Sequence, residues 1–367
     1  MRALLLALLV LTGCPTEPAE EPAPDPQIPM APSGLEPGWN QIDPGGLTGC
    51  SRGDDFAYFV RPGSTNRVVI DFIGGGACWN ELTCSVADAI FTDTVDWLVE
   101  AVQSGEDFSG IYDASHPENP VGDWWHVIIP YCTGDIHWGN NSTLYGSGSN
   151  SFPIDHIGAV NTQAVLDWMF ANFRAPEQVL VTGCSAGSYG SALWAAHVMD
   201  HWPDADVVQF GDSGAGVITE AFFQESFPSW NAEPVFPYWV QGLDPDEVDL
   251  LEKELADLYI GIADGYPDQK MSQFNTRLDS TQVNYFQYMG GGDAEAWSEQ
   301  MLASVARIEA ETDNFCSYTT ESTQHCVLGN PNFYTMEEDG TKLVDWLQAL
   351  LDGEDVSSVR CPDCVTP

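Results

Sequence analysis

Apolar residues along this chain fall into short solid runs separated by longer stretches of helical spacing. Arg67-Val68-Val69-Ile70-Asp71-Phe72-Ile73, Trp124 to Tyr131, Val179-Leu180-Val181-Thr182 and Ala205 to Phe210 are nearly continuous apolar runs, the pattern of strands covered on both faces. Asp55 to Arg61 reads as a strand joined to the first of these by the turn Pro62-Gly63-Ser64-Thr65-Asn66, and Lys270 to Arg277 and Phe315 to Thr320 read as later strands. Helical spacing predicts helices over Thr92 to Ser104, Ile154 to Phe173 (amphipathic), Ser188 to Met199, Ala294 to Thr312 and Thr341 to Leu351. Asp244 to Tyr259 reads as a helical insertion, part of a lid. This alternation predicts the α/β class: a doubly wound, mostly parallel sheet with helices on both faces. No internal repeat is present.

The two ends read differently from the body. Residues 1–13 have one early base, Arg2, then the apolar run Ala3 to Leu11, too short to span a bilayer. The run ends Leu11-Thr12-Gly13-Cys14, the form of a lipoprotein signal peptide with Cys14 as the lipidated residue. Residues 14–34 are rich in Pro and Glu, a composition that buries no core and stays extended as a linker. The catalytic body is expected over 35–355, followed by a C-terminal tail, 356–367, holding Cys361 and Cys364. The protein is therefore expected to be exported and held at the bacterial envelope by a lipid anchor, its one contact with membrane.

Charge narrows the partners. Against 55 Asp and Glu stand 11 Lys and Arg, a formal net charge of −44. A field of that sign repels nucleic acid and anionic membranes and favours neutral or cationic ligands. The 10 cysteines contain no paired C-x-x-C zinc pattern, so no metal and no cofactor are expected; with an export signal, disulfides are the better reading. Cys78 and Cys84 lie close enough to staple a loop.

Chemistry concentrates where the Val179 strand meets the next helix. Gly183-Cys184-Ser185-Ala186-Gly187 is a G-x-S-x-G nucleophile elbow, a turn so tight that the residues flanking the serine by two must be small. It marks the fold as α/β-hydrolase-like, in which serine, acid and histidine follow in that order. Ser185, Asp279 and His325 fit, each just past a predicted strand; Asp212, also past a strand, is a rival acid. Among the seven histidines only His325 follows the last predicted strand. The Gly211-Asp212-Ser213-Gly214 signature of chymotrypsin-type proteases belongs to an all-β fold and is set aside here. Gly74-Gly75-Gly76 after a buried strand leaves backbone N–H groups free to face a ligand, so Gly75, Gly76 and Ala186 are the expected oxyanion donors. Trp79, Asp135 and His137 are expected to touch substrate.

Taken in order, Gly74-Gly75-Gly76-Ala77-Cys78, Pro130-Tyr131-Cys132, Gly183-Cys184-Ser185-Ala186-Gly187, Asp212-Ser213-Gly214, Asn275-x-x-x-Asp279-x-x-Gln282 and Gln324-His325 resemble the pectin acetylesterase/Notum family of carboxylesterases. The resemblance implies an esterase that removes O-acyl groups from polysaccharide or, as in Notum, from a protein serine. It also implies Ser185, Asp279 and His325 as a triad, with Gly75 and Ala186 as oxyanion donors. The expected partner is an O-acylated glycan or small ester; a lipase, polyester hydrolase or protein O-deacylase of the same fold, and a non-catalytic glycan-binding protein, are the alternatives. The family's G-G-G-W-C reads Gly-Gly-Gly-Ala-Cys here, with Trp79 after the cysteine.

Overall fold

The computed structural model describes residues 30–86, 89–105 and 108–364. The signal peptide, Cys14 and most of the linker lie outside the described residues. The strands are β1 (Asn40–Ile42), β2 (Tyr58–Arg61), β3 (Arg67–Phe72), β4 (Trp125–Ile129), β5 (Asn141–Tyr145), β6 (Phe152–His156), β7 (Gln178–Cys184), β8 (Asp206–Asp212), β9 (Lys270–Thr276), β10 (Phe315–Thr320), β11 (Glu337–Glu338), β12 (Thr341–Lys342) and β13 (Val359–Arg360). The helices are α1 (Glu81–Cys84), α2 (Asp96–Ser104), α3 (Gly158–Asn172), α4 (Ala186–His201), α5 (Glu220–Trp230), α6 (Leu255–Gly265), α7 (Ser280–Tyr288), α8 (Ala294–Glu311) and α9 (Leu343–Leu351).

Nine strands form the central sheet in the order β1-β2-β4-β3-β7-β8-β9-β10-β13. Every neighbouring pair from β4 to β13 is parallel, while β1 and β2 add an antiparallel edge. The solid apolar runs are explained by the alternation of side chains across this sheet. Val68, Ile70, Val179 and Val181 face one layer, packed with Leu166 of α3 and Leu193 of α4. Val69, Leu180, Val208 and Phe210 face the other, packed with Trp346, Leu347 and Leu350 of α9. The α/β class with helices on both faces is therefore the observed one.

Several boundaries moved, among them the start of the helix expected from Thr92, which begins at Asp96. The helix expected from Ile154 starts only at Gly158, because Phe152–His156 pairs with Asn141–Tyr145 as a hairpin instead. Pro153 disfavours helix for its neighbour, and pairing with β5 settles the strand. The insertion at Asp244 to Tyr259 becomes helical as α6 only at Leu255. Before it, the Asp244 and Asp249 side chains accept the N–H groups of Asp246 and Leu251 and hold turns that compete with helix. The segment set apart as a C-terminal tail contributes β13, which pairs in parallel with β10 and closes the sheet.

Among the described residues four disulfides join Cys50–Cys132, Cys78–Cys84, Cys184–Cys326 and Cys361–Cys364, and Cys316 is free and buried. They are the mark of a protein that folds in an oxidising compartment. No helix among the described residues is long and apolar enough to cross a membrane.

Cys50–Cys132 spans 82 residues and Cys361–Cys364 only three. Loop-closure entropy makes the first the more stabilising. Cys50→Ser with Cys132→Ser should lower the unfolding free energy by about 2–4 kcal/mol, and the Cys361/Cys364 pair of serines should cost less; denaturant titration of both variants checks the order.

Candidate active site

The site lies at the carboxyl edge of the parallel sheet, where loops after β3, β7, β8, β9 and β10 converge, the usual place for ligands in open α/β sheets. Ser185 stands between β7 and α4 with φ 58° and ψ −122°, a strained conformation for a residue with a side chain. The turn tolerates nothing larger than glycine at its flanks. A Cβ at Gly187 would overlap the Phe72 carbonyl, and one at Gly183 would overlap the carbonyls of Phe72 and Gly187. The Ser185 N–H donates to the Asp212 carbonyl at 2.8 Å, locking the elbow to the neighbouring strand.

The glycine loop leans against this turn. A Cβ on Gly74 would strike the Cys184 carbonyl and Ser185 Cβ, and Gly76 has φ +78°. Gly76 and Ala186 line the cavity in front of Ser185, as expected of oxyanion donors; Ala186 opens α4, where backbone N–H groups lack intrahelical partners. Gly75, the third expected donor, is not among the residues that line this cavity, and its carbonyl accepts from Thr92 N at 2.7 Å, which holds the glycine loop.

Asp279 caps α7. Its Oδ1 accepts the N–H groups of Thr281 and Gln282 at 3.0 and 2.9 Å, and Gln282 Nε2 donates to Oδ2 at 3.1 Å. The same fully buried carboxylate meets His325 Nδ1 at 2.8 and 3.0 Å, which leaves the far ring nitrogen toward the cavity side of the loop. The structure thus pairs His325 with Asp279 rather than Asp212. Ser185 and His325 line the same cavity, with no hydrogen bond between them among the described residues; catalytic contacts of this kind are often loose until substrate binds.

Asp212 has a different task. Its Oδ2 accepts Val327 N at 2.7 Å and Leu328 N at 2.9 Å, and Ser213 Oγ accepts Cys326 N at 3.0 Å. Together with the Cys184–Cys326 disulfide, these bonds clamp the histidine loop onto the elbow. Burial pushes the Asp212 carboxyl up to about 6, against the pull of those donors. Adjacency of Cys184 to Ser185 and of Cys326 to His325 was the sequence signal for this clamp.

Trp79, Asp135 and His137 occupy other places than the substrate contact expected of them. All three are buried and none lines the cavity. Trp79 stands behind Phe222, ring centroids 4.6 Å apart. Asp135 accepts Thr133 Oγ1 at 2.6 Å and Gly158 N at 2.7 Å, tying the β4 loop to α3. His137 Nε2 donates to the Ile73 carbonyl at 2.9 Å, just ahead of the glycine loop, and burial pushes this ring down to about 4. Of the loop after β4, Ile136 lines the cavity. The apolar wall formed by Val217, Ile218, Phe222, Met289 and Trp297 was not read from the sequence, because these residues come from separate loops and helices that only folding gathers. The candidate metal-ligand groupings among the described residues all contain a disulfide pair, whose sulfurs are already bonded to each other.

Residues 47–229 match the family model described as Pectinacetylesterase. The chain belongs to the pectinacetylesterase family. The matched stretch of this pectinacetylesterase-family chain takes in the glycine loop, Ser185 and Asp212, and stops before Asp279 and His325. Over 171 residues the chain is 27% identical to Pectin acetylesterase 5 and 25% identical to Pectin acetylesterase 4 of Arabidopsis thaliana, which is 45% of this chain in each case. These matches span 38% and 40% of the two plant proteins. Two crystal structures of the Wnt deacylase Notum from Drosophila superpose with TM-score 0.59 at 17% and 18% identity, covering 85% of this chain and 95% and 93% of theirs. At that identity the likeness shows the fold, a mostly parallel central sheet flanked by helices.

Two expectations follow. Gly187→Ala forces the elbow off Phe72, so it should lower the melting temperature, measured by thermal unfolding against wild type. The second concerns acid. His156 donates from Nδ1 to the Thr133 carbonyl and accepts from Tyr145 at Nε2, and burial pushes its ring down to about 4. A lowered folded-state value gives stability that is full above the unfolded value of about 6.5 and is lost as pH falls through about 4. His156→Gln should remove on the order of 3 kcal/mol of that pH dependence, read as the difference in denaturant stability between pH 7 and pH 4 against wild type.

Proposed function

We propose that this chain is an exported serine carboxylesterase that removes short O-acyl groups from a polysaccharide or related ester. The observation that carries the reading is the Asp279–His325 hydrogen bond at 2.8 Å, beside a cavity that also holds Ser185 on its strained turn. Family membership supports it, and the plant relatives are named pectin acetylesterases. In this mechanism His325 Nε2 takes the Ser185 hydroxyl proton as Oγ attacks the ester carbonyl, and Asp279 holds the ring and stabilises the imidazolium. N–H groups of Ala186 and Gly76 receive the oxyanion. The tetrahedral intermediate collapses, His325 passes its proton to the departing alcohol, and the acyl group stays on Ser185. Water, deprotonated by His325, then frees the carboxylic acid and restores the serine.

The charge of −44 bears on the substrate. Encounter with a polyanion is slowed at low salt and recovers as salt screens it. A neutral acetylated glycan, or a calcium-bridged polyanion, therefore suits this enzyme better than free acidic pectin. The disulfides support export, and the Leu11-Thr12-Gly13-Cys14 sequence supports lipid anchoring at Cys14.

Ser185→Ala should lower turnover of p-nitrophenyl acetate by about 10⁴ to 10⁶-fold and Asp279→Asn by about 10⁴-fold, with circular dichroism unchanged. Full activity in Ser185→Ala would remove the acyl-enzyme route. Activity on acetylated xylan should exceed that on acetylated pectin at low ionic strength without divalent ions, the gap narrowing as salt rises; pectin preference at low salt would refute the charge argument.

A further inference from the structure

The Asp279 carboxylate has a plane that its own side chain does not fix. Rotation about the last bond of an aspartate is soft, yet His325 meets both oxygens, Oδ1 at 3.0 Å and Oδ2 at 2.8 Å. Gln282 reaches both as well. Its backbone N–H donates to Oδ1 at 2.9 Å and its side-chain Nε2 to Oδ2 at 3.1 Å, so one residue in the first turn of α7 holds the carboxylate by its two ends. The other helix donor, the Thr281 N–H at 3.0 Å, adds only to Oδ1.

The Gln282 amide is itself oriented from outside the helix. Its Oε1 accepts the Ala215 N–H at 2.9 Å. A backbone N–H only donates, so the amide oxygen faces Ala215 and the amide nitrogen faces Asp279. Asn275 Oδ1, at the end of β9, accepts from the same Nε2 at 3.4 Å, and Asn275 Nδ2 donates to Gln273 Oε1 at 3.0 Å. Gln282, Asp279, Asn275, Gln273 and Ala215 are all buried. Hydrogen bonds to a charge are strong in such a place, and water does not replace one that is lost. Ala215 lies on the loop after β8, two residues before Val217 in the cavity wall. Further along that loop Thr219 Oγ1 donates to the Met289 carbonyl at 2.7 Å, a second tie between loop and helix that does not involve Asp279.

We propose that Gln282 is a positioning residue for the esterase reaction, setting the plane of the Asp279 carboxylate that receives His325 and tying that carboxylate to the loop that walls the cavity. The proposal rests on the serine esterase reading above. It gives a physical reason for the Asp279-x-x-Gln282 spacing. Asp279 is the N-cap of α7 and Gln282 its third helical residue, one turn away on the same face. In a capping box that third residue reaches back to the N-cap N–H; here its side chain reaches the N-cap carboxylate instead. Without Nε2, Oδ2 keeps only His325 as a partner, and the carboxylate is free to swing about Oδ1. The imidazole then loses the fixed tautomer and direction that taking the Ser185 proton requires. The loss falls on the chemical step rather than on ester binding.

The test is steady-state hydrolysis of p-nitrophenyl acetate by wild type, Gln282→Met, Asp279→Asn, their double variant and Thr219→Val, each checked for folding by circular dichroism. Gln282→Met should lower kcat by about ten- to a hundredfold, the worth of one hydrogen bond to a charge, with KM within about twofold of wild type. In the Asp279→Asn background the same substitution should cost less than about threefold, because no carboxylate remains to be held. Thr219→Val frees the loop at its other tie and should leave kcat within about twofold of wild type. The proton between His325 and Asp279 should give a far-downfield NMR resonance in wild type and Thr219→Val that shifts or broadens in Gln282→Met. Should Gln282→Met fail to fold, Gln282→Asn, too short to span from Ala215 to Asp279, should show the kcat loss in smaller measure. Wild-type kcat in the folded Gln282 variant, a loss confined to KM, an equal loss in the Asp279→Asn background, or a matching loss in Thr219→Val would each overturn the inference and leave the esterase reading intact. Silence of wild type on the ester, or full activity in Asp279→Asn, would overturn that reading and this inference with it.

Discussion

The position of Ser185 depends on a contact between backbones. Gly187 on α4 packs so close to the Phe72 carbonyl at the end of β3 that no Cβ fits, and Gly183 is pressed in the same way. This closeness brings α4 down onto the sheet and turns the chain sharply enough to force Ser185 into a positive-φ conformation. Strain of this type costs about 1–3 kcal/mol and persists only where the surroundings hold it. Here they do: β7 lies in the sheet between β3 and β8, and α4 is buried along most of its length. The serine hydroxyl is left at the sheet edge beside the N–H groups that open the helix.

The histidine has no such rigid mount of its own. It lies on an irregular loop after β10, and three attachments stand in for secondary structure: the Asp279 carboxylate on its ring, the Cys184–Cys326 disulfide, and Asp212 with Ser213 on the loop's N–H groups. Burying Asp212 disfavours its charge, as its raised value of about 6 records. The donors that face it offset part of that desolvation, and the return is a loop held at the elbow. Asp279 reaches the same end differently: as the cap of α7 it is oriented by helix N–H groups, and Gln282 fills its remaining acceptor position. Two carboxylates at neighbouring strand ends therefore divide the work, one orienting the ring and one anchoring the chain that carries it.

Around this centre the buried polar groups brace loops. Asp135, His137 and His156 tie the β4 loop to α3, to the chain entering the glycine loop and to the β5–β6 hairpin, each with its charge disfavoured by burial. The acidic residues that give the chain its net charge lie mostly elsewhere, where water solvates them.

Local sequence determined the parallel-sheet class, the elbow, the glycine loop and the strand ends that carry Ser185, Asp279 and His325, because tight turns and doubly covered strands leave direct marks in residue type: glycine where no Cβ fits, unbroken apolar runs where both faces are packed. Tertiary structure alone decided which acid meets the histidine, which cysteines beyond Cys78 and Cys84 pair, that Trp79, Asp135 and His137 brace the scaffold, that residues 359–360 join the sheet, and which apolar side chains wall the cavity. Those outcomes depend on where separate loops and helices meet in space. Asp212 and Asp279 look alike at the ends of neighbouring strands; the loop N–H groups that meet Asp212 and the imidazole that meets Asp279 come from more than 45 residues away along the chain.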